Sequence, residues 1–146
     1  MAGAWQQKMI DDMLAAGAVV VPILGTGAAS GFPDRIVVWR GWTLWVEFKA
    51  GGDRLKTNQR LFLESLTKRG VAGLVAYQWG EGARLELIKA SYPYETIAVA
   101  NGSDLLHYAS LMTYQCHAAY TEKYSKVLEG RPSATDFEVR QVLEGG

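Results

Sequence analysis

At 146 residues and 16.0 kDa the chain has room for one domain with a helical appendage, and chains of this length bury about 70% of the surface they expose when unfolded. Hydrophobic residues at 49% and charged residues at 21% describe an ordinary globular protein and exclude global disorder and collagen-like order. The formal net charge is zero, and one cysteine, Cys116, excludes an internal disulfide framework and a Cys-rich zinc module.

No stretch approaches the roughly 18 uncharged apolar residues of a membrane span. Residues 13–24 are apolar, but Asp11 and Asp12 precede them where a signal peptide carries basic residues. The expectation is a soluble protein that stays in the cytoplasm.

In chain order, Trp5, Met9, Met13 and Ala16 recur at helical spacing and predict a first helix stopped near Gly17. Residues 18–24 are valine-rich and suit a short buried strand. Residues 25–31 read as a glycine-rich loop, and Pro33 keeps Phe32 out of helical geometry. Ile36 to Trp39 and Thr43 to Lys49 predict two strands joined at Gly41-Trp42 as a hairpin. After Gly51-Gly52-Asp53, a helix capped by Thr57 is expected, with Leu61, Phe62, Leu66 and Leu63 on its apolar face and Gly70 at its end. Residues 71–78 and 83–88 predict two more strands, the second half exposed, as near a sheet edge, because Leu85-Glu86-Leu87 alternates. A helix or helix pair is expected over residues 102–129, then a linker and a short helix over 136–144.

Chemistry concentrates between Gly31 and Gln59. On a strand the side-chain period is two, so Glu47 and Lys49 emerge on one face while Val46 and Phe48 face the other. An acid and a base on so apolar a strand are costly unless paired or bound to something. A tight hairpin brings Asp34, at the start of one strand, near the end of the next. Two close carboxylates repel and suit a hard divalent cation such as Mg²⁺, which accepts one or two carboxylates beside a substrate phosphate. With Lys49 to hold a water or offset growing charge, this suits metal-assisted phosphodiester hydrolysis. Spacing alone equally allows a structural ion pair at a sheet edge. Charge distribution points toward nucleic acid: residues 34–69 hold eight Lys/Arg against four acids, enough for a local phosphate-binding surface on a neutral chain. Arg35, Arg54, Lys56 and Arg60 are the candidate phosphate contacts.

Gly31-Phe-Pro-Asp34, Glu47-Phe-Lys49, the Gly51-Gly52 break, Gln59 opening the next helix and Gly70 closing it resemble, in that order, the PD-(D/E)XK nuclease superfamily and within it the VRR-NUC domain. The resemblance spans roughly residues 5–90. It implies an α/β fold, a small central mixed sheet flanked by helices (a restriction-endonuclease-like core), with a nuclease unit over 1–100 and a helical extension over 101–146 that could dimerise. It implies that Asp34 and Glu47 hold Mg²⁺ or Mn²⁺, that the Phe48 carbonyl assists, that Lys49 is catalytic and that Gln59 lies beside the site. Small stand-alone phage and bacterial members are associated with cleavage of four-way junctions as homodimers, so a junction resolvase is the leading expectation. Alternatives are a nuclease for flaps, nicks or duplex, and an inactive DNA-binding or assembly protein. The chain departs from the pattern in its first helix, where the usual Glu is missing: either Gln6 or Gln7 serves in its place, or Asp11 or Asp12 has taken the role, or the site binds a second metal weakly.

Two other features carry less. Gly25 and Gly27 lack the Gly-Lys-Ser/Thr ending of a phosphate loop. His107, Cys116 and His117 lack zinc-ligand spacing. Leu105, Leu106, Leu111, Met112 and nearby tyrosines exceed the cover one small sheet needs, and suggest a subunit interface.

Overall fold

A computed structural model describes residues 3–23 and 33–124. The expected glycine loop and the helix at 136–144 lie outside the described residues. Among the described residues nine elements follow one another: α1 (Gly3–Ala15), β1 (Val19–Pro22), β2 (Arg35–Trp39), β3 (Trp42–Lys49), α2 (Thr57–Thr67), β4 (Gly73–Trp79), β5 (Gly82–Ile88), β6 (Glu95–Val99) and α3 (Gly102–Lys123). The fold is α/β, a mixed sheet flanked by helices, as expected.

The six strands lie in chain order, β1 to β6. All neighbours are antiparallel except β3 and β4, which run parallel. Parallel neighbours need a crossover, and α2 supplies it. The β2–β3 hairpin turns through Arg40 and Gly41, both at positive φ (48° and 83°), as a tight two-residue turn requires.

Alternation splits the sheet into two faces. On one, Val37, Leu44, Val46, Phe48, Leu74, Ala76 and Leu85 pack with Trp5, Met9 and Met13 of α1 and Leu105, Leu106, Ala109 and Met112 of α3 in one core. On the other, α2 lays Leu63 against Val75 and Ile88, with Leu55, Leu66, Tyr77 and Tyr94 around them. α2 rests on β4 and β5 and reaches β3 through Phe62, whose ring centre lies 6.2 Å from that of Trp45. Glu47 and Lys49 emerge on this same face.

Several expectations need correction. The strand at 18–24 was expected to be buried, yet Val19 and Val21 are 59% and 45% exposed, because β1 is an edge strand with no helix on that face. β5 lies near the sheet edge, one place in from it, but it is mostly buried rather than half exposed, because β6 pairs with it on the outside. Only Ile97 and Val99 of β6 turn toward the core, too faint an apolar signal to mark a strand. In α2, Leu61 is half exposed and Leu63 is the buried residue; the residue before the helix is Lys56, not Thr57. Leu105, Leu106 and Met112 cover the chain's own sheet rather than a subunit interface. Leu111 and Tyr114 remain exposed. Among the described residues no helix is long and apolar enough to cross a membrane.

Candidate active site

The hairpin register places Arg35 opposite Val46, so the preceding residue, Asp34, falls opposite Glu47. Asp34 is fixed there by its neighbours. Its Oδ2 accepts the Phe48 N–H at 3.0 Å, and its backbone carbonyl accepts from Ile23 N–H and from Arg35 Nη1, each at 2.9 Å.

Glu47 and Lys49 are almost fully buried, at 3% and 9% exposure. Lys49 Nζ lies 3.8 Å from Glu47 Oε1. The other oxygen, Glu47 Oε2, is buried without a hydrogen-bond partner among the described residues. Burial, and next the charge of Asp34, push the Glu47 carboxyl up to about 8 against an ordinary 4.5; Lys49 pulls only partly the other way. A carboxyl held so far up keeps its proton at neutral pH unless a cation arrives.

Asp34 and Glu47 therefore fit a divalent cation: two apposed carboxylates, one with an orphaned buried oxygen. Among the described residues no group of three His, Cys, Asp or Glu side chains comes together, so a third protein ligand would be a backbone group. A strand residue directs its N–H and C=O toward the same neighbour. The Phe48 carbonyl therefore faces the Asp34 side, where Pro33 continues the register and has no N–H to offer it. Two carboxylates, a carbonyl and open positions for water suit Mg²⁺ or Mn²⁺ better than a softer metal.

The remaining candidates are distributed differently. Gln59 Oε1 accepts the Lys56 N–H at 3.1 Å, tying down the first turn of α2 and leaving its amide nitrogen for other contacts. Arg60 bonds Glu64 at 3.1 Å, and Lys68 shares that carboxylate. Arg54 and Lys56 are exposed and pair with no acid among the described residues. Arg35 is spent in part on the Asp34 carbonyl. In α1, Asp12 Oδ2 accepts the Gly102 N–H at 3.2 Å and Asp11 takes the Gln7 amide at 2.8 Å. That helix packs on the opposite face of the sheet, so neither acid joins the carboxylate pair.

The sheet adds residues that local spacing did not single out. Across β3, β4 and β5 the register aligns Glu47 with Val75 and Glu86, and Lys49 with Tyr77 and Arg84. Arg84 stacks over Tyr77 and Trp79, with its guanidinium carbon 5.0 and 5.6 Å from the ring centres. The alternation in Leu85-Glu86-Leu87 was visible; the parallel β3–β4 pairing that aligns Glu86 with Glu47 and Arg84 with Lys49 was not.

Residues 25–79 match the model of the VRR-NUC domain. No curated protein matches the chain. Among solved structures, the chain is similar to Hjc, a Holliday junction resolvase of Archaeoglobus fulgidus, with 15% identity, TM-score 0.49, and 74% of this chain and 97% of that chain covered. It is also similar to the bacterial homing endonuclease I-Ssp6803I, with 20% identity, TM-score 0.42, and 81% and 91% covered.

Proposed function

We propose that this chain, which carries a VRR-NUC nuclease domain over residues 25–79, is a divalent-metal-dependent endonuclease for structured DNA, with four-way junctions as its leading substrate. The observation that carries the reading is the Asp34–Glu47 pair. Two carboxylates meet at the open end of a hairpin, and one buried oxygen, Glu47 Oε2, has no hydrogen-bond partner among the described residues.

Asp34, Glu47 and the Phe48 carbonyl would hold Mg²⁺ or Mn²⁺. When bound, such an ion activates water near neutral pH and stabilises charge on a phosphate. Lys49 Nζ, 3.8 Å from Glu47, orients the attacking water and offsets charge growing on the phosphate oxygens. Asp34 and Phe48 lock the hairpin end, so these groups stay in register. The Gln59 amide nitrogen is available to a water or substrate oxygen, and Arg54 and Lys56 to flanking phosphates.

A junction is resolved by two cuts in symmetry-related strands, and one chain holds one such site. A two-fold dimer is therefore the proposed active species, with exposed Leu111 and Tyr114 of α3 as the first surface to test. A mass near twice 16.0 kDa by light scattering, lost in Leu111→Glu together with paired cutting, supports it.

The test of the function is a cleavage panel of junction, flap, nicked and linear DNA with Mg²⁺ or Mn²⁺. Junction cutting that disappears in Glu47→Ala is the expected result. Preference for flaps or nicks would reassign the substrate, and no cutting with any divalent metal would leave a DNA-binding protein without catalysis.

A further inference from the structure

Beside the carboxylate pair, the same sheet face opens into a cleft of about 560 Å³. Its floor is Tyr77, Trp79 and Arg84; the turn from Gly51 to Leu55 forms one wall, and Tyr92 stands at the rim. The turn follows Lys49 directly. Gly52 at φ 85° and the Asp53 N–H to Ala50 carbonyl bond at 3.0 Å close it, and Gln78 Oε1 accepts the Gly51 N–H at 3.0 Å, pinning it to β4.

Three properties of the cleft select its occupant. Two large aromatic side chains are left in solvent, Trp79 at 60% and Tyr92 at 81% exposure, far from the usual state of such rings. Its charged residues cancel: Arg54 and Arg84 against Asp53 and Glu86. Arg84, braced on two rings, donates no hydrogen bond among the described residues, and its Nε is 4.0 Å from Glu86, too long for one. A strongly charged ligand gains little from a charge-balanced cleft. A flat, uncharged heteroaromatic ring gains stacking and hydrogen bonds.

We infer that this cleft receives an unpaired nucleobase of the DNA strand whose phosphate lies at Asp34 and Glu47, so that the enzyme selects DNA with an open base beside the cut. The inference rests on the proposed nuclease reading and deepens it. Lys49 is two strand spacings from Arg84, about 10 Å, which suits a base about one or two positions from that phosphate. A base stacked inside a duplex cannot enter. Flaps, bulges and junctions with opened branch points qualify.

The probe is fluorescein-labelled duplex bearing a short single-stranded arm, compared with blunt duplex of equal length, by fluorescence anisotropy in chelator so that nothing is cut. Wild type should favour the armed duplex. Trp79→Ala combined with Tyr92→Ala should reduce that preference about 5- to 100-fold, while Trp79→Phe with Tyr92→Phe keeps most of it. Wild-type protein should lose the same preference for an arm with abasic positions next to the branch, which tests the idea without any variant. Unchanged preference in the Ala double variant, or equal binding of the abasic arm, overturns the cleft. A preserved preference without cleavage under any metal overturns the nuclease reading and leaves the cleft standing.

Discussion

Asp34 and Phe48 are joined across the open end of the β2–β3 hairpin, with Asp34 Oδ2 accepting the Phe48 N–H at 3.0 Å. That bond does structural and chemical work at once. It continues the hairpin past its last regular pair, and it fixes one carboxylate beside the next, so that burying Glu47 raises a charge problem which the proposed cation would resolve.

The two carboxylates therefore differ in what their loss does. Asp34→Ala would remove one proposed metal ligand and also strands the Phe48 N–H, at a cost of about 1–3 kcal/mol of stability. Glu47→Ala would remove the other proposed ligand, a buried acid. Both should cut DNA about 100-fold or more slowly than wild type. Cleavage rates and denaturant melts on the two variants check this; wild-type cleavage by Glu47→Ala would end the assignment.

Glu47 also predicts how stability follows pH. Its carboxyl stands at about 8 in the folded chain against 4.5 as its ordinary value. Between those values the native state holds a proton that the unfolded chain has released. This contribution to stability therefore falls as pH rises through the window and levels off above about 8. Glu47→Gln, which cannot ionise, should lose that slope and melt higher than wild type at pH 8–9 in chelator. Mg²⁺ or Mn²⁺ should recover wild type there and leave Glu47→Gln nearly unmoved. Parallel pH profiles for the two proteins would contradict the account.

Much of this site could be read from order along the chain, because its first three residues belong to one hairpin. Asp34, Glu47 and Lys49 are related by period two and by a two-residue turn, both local properties. What escaped depends on partners distant in sequence. Whether Val19 is buried depends on α2 stopping over β4, and β6 is held by β5 rather than by its own apolar residues. Leu105, Leu106 and Met112 looked surplus until six strands, not five, needed cover. The Arg84 and Glu86 rows required the parallel register of β3 and β4. The roles of Gln59 and Arg60 were obscured because both can bond within the first turns of α2.

The seating of α2 depends on Gly73. A Cβ built there meets the backbone carbonyl oxygen of Leu63, and backbone cannot step aside as a flexible side chain does. Gly73 N–H also donates to Thr67 Oγ1 at 3.0 Å, holding the end of α2 against the start of β4. Gly73→Ala should lift the helix and cost about 1–3 kcal/mol, seen as a lower denaturation midpoint. Gly51→Ala, whose Cβ meets only Gln78 Oε1 at 3.7 Å, is the matched control and should melt near wild type.

The basic residues near α2 should separate by their partners. Arg54 and Lys56 are exposed and unpaired among the described residues, which leaves their charge for phosphates. Arg60 is engaged with Glu64 at 3.1 Å, and Lys68 competes for the same carboxylate. Affinity for duplex DNA should fall linearly in log–log form as salt rises, with a slope of about 0.9 for each phosphate neutralised. Arg54→Ala and Lys56→Ala should each reduce the slope by about one, whereas Arg60→Ala should reduce it by less, since freeing Glu64 only lets Lys68 pair with it more fully. Titrations across salt in chelator measure all three slopes. Equal reductions for all three would show that DNA pulls Arg60 from Glu64, and no reduction for Arg54 or Lys56 would place the duplex on another face of the sheet.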